Sequence, residues 1–460
     1  MGYDIKKSNI ASFLLFITTL LFLIFLLIRI QYSYPGIIGY DGYYHIKMAK
    51  VMYDNGIFFL FSSLIYIPFG KNFVDHHFLY HILLIPFSLL FGLMEGAKIS
   101  AIFFDFLFLI VLASILKKLS VKNIPIWLLV FFSLSSTFLF RFSLPRATVP
   151  SCLILLLCWY LMLKEKNLLL FIFSAVFPNF YGGFSSIFLP LTAVSLTYVI
   201  KEKRLPYKGL VSTISGVLFG LIISPFFPDN VKFIYFQTTS AGITRSIRGG
   251  NEWMSFSPEE FFTIQFPFIA VFLVSLYISA VSEKKMAKDS LSLFFISIPL
   301  IIFAYKWRRF IELAVPFVLL FSATIIRDYG NEYLSKIKEN SRSFLRYSTP
   351  FFFFFFLLLA FTTSQKASKE VSSDTRNPYR YRNAAKWLYE NAIGMPVYLT
   401  DWDDYPELFF YNSKNRYLIG LDPAFLYIYD KRMYKIWIEI NSGRYKGDLK
   451  RAFTEIFKTP

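Results

Sequence analysis

Apolar runs of about twenty residues recur along this chain, and that single feature leaves few folds open to it. A run of this length makes a helix that spans the hydrocarbon of a bilayer. Hydrocarbon also requires every backbone N–H and C=O to be satisfied within the segment, which a helix does. Ala11 to Ile30, Ala97 to Leu116 and Thr263 to Val281 are runs of this kind. Only 17% of the 460 residues are charged and 55% are hydrophobic, whereas a soluble domain carries about 25% charged residues. The expected class is an all-α polytopic membrane protein.

The formal net charge of +18 would suggest nucleic acid in a soluble protein. Here Lys and Arg gather in short segments between apolar runs, as orientation signals do, so no nucleic-acid partner is expected. Lys6 and Lys7 precede the first run, and Lys117, Lys118, Lys164, Lys166, Lys201, Lys203, Lys284 and Lys285 follow later ones. They fall on one side of the membrane if Phe78 to Leu93 stays on the outer face rather than crossing. That choice predicts about eleven transmembrane helices in a multi-pass plasma-membrane protein with a cytoplasmic N-terminus.

The transmembrane part is expected over 1–363, with a first outer loop over 31–96. Beyond it, 364–460 is polar, charged and aromatic, and is read as a small extracytoplasmic α/β domain. A helix is predicted over Tyr381 to Asn391 and strands over Pro396 to Thr400 and Tyr417 to Ile419, while Tyr434 to Ile440 is apolar without a clear period. Cys152 and Cys158 lie in one apolar run, so no disulfide framework is implied.

Chemistry is expected in the first outer loop. All four histidines, His45, His76, His77 and His81, lie between Gly39 and His81, beside Asp41 and Asp75. Asp41 to Asn55 has helical spacing, stopped by Asn55-Gly56, and Pro68-Phe69-Gly70 marks a turn. Asp41, Asp75, His76 and His77 offer carboxylate and imidazole ligands for a divalent cation, Mn²⁺ or Mg²⁺. Such an ion would offset charge on a phosphate leaving group. The plain alternative is a polar loop whose histidines meet lipid headgroups. His77 and His81 have the i, i+4 spacing that zinc uses, but without a His-Glu-x-x-His motif.

Basic residues form a second group. Arg308 and Arg309 stand at an outer membrane edge ahead of Glu312, where they either grip a lipid phosphate or snorkel. Arg141 and Arg146 have the same two readings, with snorkelling favoured. Arg245, Arg248 and Glu252 sit in a long outer loop with Gly249-Gly250 as a hinge. In the outer domain, Trp402, Asp403, Asp404 and Tyr405 follow a predicted strand. They form either a binding edge or a turn that starts a helix through Tyr411. Asp105, inside a span, is either functional or paired with a neighbouring helix.

At these residues the sequence resembles the GT-C class of membrane glycosyltransferases, most closely the oligosaccharyltransferase catalytic subunits. Asp41-Gly42-Tyr43-Tyr44-His45 is similar to that family's Asp-x-Tyr-Tyr-His motif. Glu252 resembles in placement its late outer-loop glutamate, and Arg308 or Arg309 its late arginine. Trp402-Asp403-Asp404-Tyr405-Pro406 stands where the family has Trp-Trp-Asp-Tyr-Gly. The family's acidic metal ligands in the second outer loop have no counterpart in Arg141 to Ser151, and Asp75-His76-His77 is the available substitute.

The resemblance implies an enzyme that moves a sugar or oligosaccharide from a polyprenyl-phosphate-type lipid to a protein, glycan or lipid acceptor, with inversion and metal assistance. It implies Asp41 as metal ligand and acceptor contact, Glu252 as acceptor-positioning residue, and Arg308 or Arg309 on the donor phosphate. It also places Trp402, Asp403, Asp404 and Tyr405 at the acceptor. The rival expectations are a transporter or flippase for a lipid-linked sugar, which needs ionisable groups near the midplane, and a non-catalytic membrane scaffold.

Overall fold

The computed structural model describes residues 2–57, 63–67, 74–236, 250–336 and 339–459. Pro68-Phe69-Gly70, Arg245 and Arg248 lie outside the described residues. Helices dominate, as the apolar runs require. Among the described residues six are long and apolar enough to cross a membrane, or eight segments if each of two bent pairs counts as one span. One bent pair is Ile124–Ser133 with Ser136–Phe142, at 97°. The Ser135 hydroxyl accepts from the Phe138 N–H at 3.0 Å and so restarts the chain as a new helix after the break. The other is Pro258–Ile264 with Phe266–Ala280, at 76°. Its first helix opens on a capping box between Ser257 and Glu260.

Phe78–Leu90 is a separate apolar helix of 13 residues. At 1.5 Å per residue it is about 20 Å long, short of a bilayer core of about 30 Å. It ends at Phe91, and Gly92 takes φ +72° to start the span Gly92–Lys118. Thr148–Leu163, Asn167–Phe180 and Tyr207–Ile222 are further apolar helices of intermediate length. Packing is close where glycine permits it. A Cβ on Gly216 or Gly220 would meet backbone of Phe171 or Ala175 within 2.6 Å, so the helices Asn167–Phe180 and Tyr207–Ile222 lie backbone to backbone.

The expected boundary at Ser364 is not a break. The helix Glu339–Ser372 runs through it, and Ala360 and Ala367 are both fully buried. The C-terminal region has the helix Arg382–Asn391 and two short parallel strands, Pro396–Val397 and Arg416–Tyr417. Tyr434 to Ile440 lies in the helix Lys431–Asn441. The apolar core of this region extends into the first outer loop. Tyr44, Met48, Val51 and Met52 of the motif helix Asp41–Asn55 share one apolar cluster with Tyr405, Leu408, Phe409, Tyr417 and Trp437. Backbone joins them too. The Ile65 N–H donates to the Tyr417 carbonyl at 2.9 Å, and the Tyr417 N–H donates to the Ser63 carbonyl at 2.6 Å. The first outer loop and the C-terminal region therefore fold as one body.

Candidate active site

Asp41 opens the helix Asp41–Asn55, where a carboxylate is favoured by the helix dipole. Gly39, at φ +75°, supplies the reversal just before it. The Asp41 side chain is 59% accessible, and one oxygen stands 3.8 Å from Arg146 Nη1. It lies in a recess. The surrounding protein raises its pKa above the usual carboxylate range through desolvation, with Arg146 opposing and Glu252 adding to the rise.

Behind Asp41 stands a network of three arginines and two glutamates. Arg141 ends the helix Ser136–Phe142, and Arg146 precedes the helix Thr148–Leu163. Both are buried, and so is Glu312 in the first turn of Ile311–Lys336. Arg141 Nε lies 2.6 Å from Glu312 Oε1, and Arg146 also pairs with that oxygen. Glu252 Oε2 accepts from Arg146 at 2.9 Å and from Arg141 at 3.0 Å, while its Oε1 lies 3.3 Å from Arg309. Burial would raise the Glu252 pKa, but Arg309, Arg146 and Arg141 outweigh it and hold the carboxyl well below its ordinary value. Arg309 also lies 4.2 Å over the Trp253 ring and donates to the Tyr181 hydroxyl at 3.2 Å. With Asp41, three acids balance three arginines. An arriving phosphate would find fixed guanidinium groups with no further charge to desolvate.

The two arginines of the late motif separate. Arg309 joins this network, whereas Arg308 turns away to Glu260 at 2.7 Å and stacks on Phe256. The expectation that Arg141 and Arg146 merely snorkel is overturned, because both are buried in ion pairs. Two signals were present in the sequence: arginines in a loop with no local acid, and Glu312 inside an apolar run. Neither reveals the partner, because Arg146 and Glu312 meet only through the fold.

The histidines form a second, adjacent group. Asp75 and His81 are buried and joined at 2.6 Å through His81 Nδ1, and His81 Nε2 lies 2.8 Å from His45 Nδ1. The other Asp75 oxygen accepts the His77 backbone N–H at 2.9 Å. His76 stacks on Phe233, and His77 lies edge-on to His45. Burial lowers the imidazole pKa values: His45 and His77 fall well below the usual range, and His76 falls to about 4.

The four expected metal ligands are not brought together as a cage. Asp75 is taken by His81 and a backbone N–H, Asp41 faces Arg146, and no three His, Cys, Asp or Glu side chains among the described residues converge on one point. His76 Nδ1 is nevertheless a buried nitrogen without a hydrogen-bond partner.

The C-terminal motif closes the recess from the other side. Trp402–Asp404 forms a turn that starts the helix Tyr405–Tyr411. Asp403 is half-buried, and its pKa is pushed up to about 7 by burial and by the charges of Asp401, Asp41 and Asp404. Asp404 pairs with Arg380 at 3.2 Å, and Arg380 and Arg376 both reach Glu407. Arg376 covers the ring of Tyr40, the neighbour of Asp41, at 3.9 Å. Tyr405 departs from its expected place at an acceptor: it is 1% exposed, stacked on Phe409 and bonded to Ser63. Asp105 is buried in its span, with Oδ2 unpartnered and no ion pair among the described residues.

No protein-family model and no curated protein matches the chain. Solved structures do. An oligosaccharyltransferase from Archaeoglobus fulgidus, tethered to an acceptor peptide containing the NVT sequon, superposes with a TM-score of 0.61 at 12% identity. The match covers 88% of this chain and 64% of that one, so this chain spans less than two thirds of its length. The same archaeon's AglB, in complex with an inhibitory peptide and a dolichol-phosphate, gives a TM-score of 0.59 over the same shares at 12% identity. ArnT from Cupriavidus metallidurans, bound to undecaprenyl phosphate, gives a TM-score of 0.57 at 11% identity, over 94% of this chain and 90% of its own. The chain is thus a polytopic membrane protein with the GT-C fold of the glycosyltransferases that its motifs resemble.

Proposed function

We propose that this protein is a glycosyltransferase that takes a sugar or oligosaccharide from a polyprenyl-phosphate-type lipid and passes it, with inversion, to an acceptor hydroxyl or amide. The observation that carries this reading is the recess in which accessible Asp41 faces Arg146, with Arg141 and Arg309 held behind it on Glu252 and Glu312. The three structures above lend it support, two through a bound lipid phosphate and one through its tethered acceptor peptide.

In this reading the Asp41 carboxylate takes the acceptor proton as the acceptor atom bonds to the anomeric carbon. The carbon–oxygen bond to phosphate breaks on the opposite face, and its electron pair leaves with the phosphate. Arg146 and Arg309 hold that anion, and Arg141 fixes Glu252 between them. General-base action of this kind contributes about 10²–10⁴-fold, and fixed donors at a developing anion about 10²–10³-fold. Trp402 and Asp403 border the acceptor side. Arg308, Asp404 and Tyr405 hold structure.

Adding the three intermediate apolar helices to the eight longer segments makes eleven spans, with the N-terminus cytoplasmic, the motif end outside and the plasma membrane as the site. The deciding assay follows a labelled lipid-linked sugar with wild type and Asp41→Ala. Product from wild type alone supports the transferase. Lipid movement without product supports the flippase, and neither supports the scaffold.

A second reading keeps a divalent cation, Mn²⁺ or Mg²⁺, among Asp41, Asp75, His76 and His77, favoured by the orphan Nδ1 of His76. Bound, the ion would supply positive charge beside the arginines. Metal analysis of purified protein, with and without His76→Ala, tests it: stoichiometric metal lost in the variant supports the cation.

A further inference from the structure

Asp41 begins its helix without a side-chain cap, so the first turn, which carries it, depends on the chain that leads in. That connection, residues 32–40, joins the first helix, Gly2–Gln31, to the motif. Ile37 and Ile38 within it are buried, and the Ile37 N–H donates to the Tyr43 hydroxyl at 3.1 Å. Gly36 packs so closely that a Cβ there would meet the Tyr34 ring, the Tyr43 hydroxyl and Pro378 within 2.7 Å. The Tyr34 hydroxyl donates to the Arg376 carbonyl at 2.9 Å. These contacts tie the connection to the motif helix and to the C-terminal region.

Its tie to the transmembrane bundle is of another kind. Lys98, near the start of the span Gly92–Lys118, is 2% exposed. Its ammonium donates to the Tyr34 carbonyl at 3.0 Å and to the Pro35 carbonyl at 3.1 Å. The Tyr32 ring lies 4.9 Å from it, and the Tyr32 hydroxyl donates to Glu95, one turn earlier in the span, at 2.7 Å. Lys98 makes no ion pair among the described residues. A buried ammonium is costly unless its donors are answered. Here the answering groups are two carbonyls and a ring face, all from residues 32–35. Pro35 stiffens the same stretch, because its ring fixes its own φ and keeps the residue before it extended. A displacement at these carbonyls is therefore passed along few free torsions to Gly39 and Asp41.

We propose that Lys98 is a positioning residue for the transfer step: by holding the Tyr34 and Pro35 carbonyls against the bundle, it sets where the Asp41 carboxylate stands relative to Arg146. The inference rests on the reading of Asp41 as the base that takes the acceptor proton. Lys98 acts through the connection and not on the substrate. Its loss lowers turnover without weakening the hold on the lipid phosphate, because Arg146 and Arg309 keep their own pairs with Glu252.

The test is a double-mutant cycle on full-length protein in detergent. Turnover of a labelled undecaprenyl-phosphate hexose is measured on the folded fraction, and undecaprenyl phosphate is titrated for binding. Lys98→Met should lower turnover roughly tenfold to a hundredfold, with undecaprenyl phosphate affinity within about twofold of wild type. In the Asp41→Asn background the same change should lower the residual turnover by less than about twofold, since both act through one carboxylate. Where Lys98→Met does not fold, Lys98→Gln, which keeps one donor group, carries the same cycle. Equal factors in the two backgrounds, full turnover in the Lys98 variant, or a loss confined to lipid affinity would each overturn this inference and leave the role of Asp41 standing. No turnover by wild type, or full turnover by Asp41→Asn, would overturn the reading of Asp41 and this inference with it.

Discussion

Two charged groups lie side by side near Asp41, and they are built on opposite principles. The histidine group is closed on itself, since buried Asp75, His81 and His45 use their facing atoms on one another. The arginine group is paired with acids on several elements, and it leaves Asp41 accessible. The first has the arrangement of a support that fixes the angle between the helices Asp41–Asn55 and Phe78–Leu90. The second has that of a surface ready for an anion. The four histidines pack against one another, and under the proposed reading the arginines carry the field.

The contrast breaks most directly at Asp41. Asp41→Asn should lower transfer of a labelled lipid-linked sugar by about 10²–10⁴-fold with the thermal midpoint unchanged, because the side chain is accessible. Next come the arginines. Arg146→Gln and Arg309→Gln should each reduce turnover by about 10²–10³-fold. Arg308→Gln, whose partner is Glu260 outside the network, should change it by less than about fivefold. Equal losses at Arg308 and Arg309 would mean that the network does not define the phosphate site.

Glu312→Gln sharpens the energetic side. It leaves Arg141 and Arg146 buried without their shared partner, so unfolding stability should fall by about 3–5 kcal/mol, read as a lower thermal midpoint. Asp75→Asn should cost about 1–3 kcal/mol through the lost charge-assisted bond to His81, with turnover of the folded fraction kept within severalfold. Loss of turnover without loss of stability would move the chemistry to the histidines.

The smallest effect is at Asp403. Its folded pKa of about 7 lies above the ordinary carboxylate value, so the folded state binds more protons than the unfolded one between about pH 4 and 7. Stability from this group is thus full below about pH 4, declines as pH rises, and is lost above 7. Asp403→Asn should raise the thermal midpoint at pH 8 and have little effect at pH 4.

Much of the architecture was legible in the sequence because its causes are local. The helix predicted from Asp41 to Asn55 has those bounds, and the turn at Trp402 leads into a helix through Tyr411 as Asp404 and Pro406 suggest. The bends were not legible. Pro125 to Phe140 reads as one span, yet the chain turns by 97° within it, since hydropathy records length and composition but not direction. Nor was the shared core legible. The composition shift at Ser364 suggests a separate domain, but Tyr44 and Met48 complete the packing of Tyr405 and Phe409 across more than 350 residues of chain.

By itself the sequence determined that this chain must live in a bilayer as helices, because no other structure satisfies the backbone of so many apolar runs. It also brought forward Asp41, Glu252 and the pair Arg308 and Arg309 as candidates. Only the tertiary structure decided that Arg141, Arg146 and Glu312 join them, that Arg308 does not, and that the histidines face one another. Charge pairing depends on distances of a few ångströms between segments far apart in the chain, and spacing along a sequence does not encode those distances.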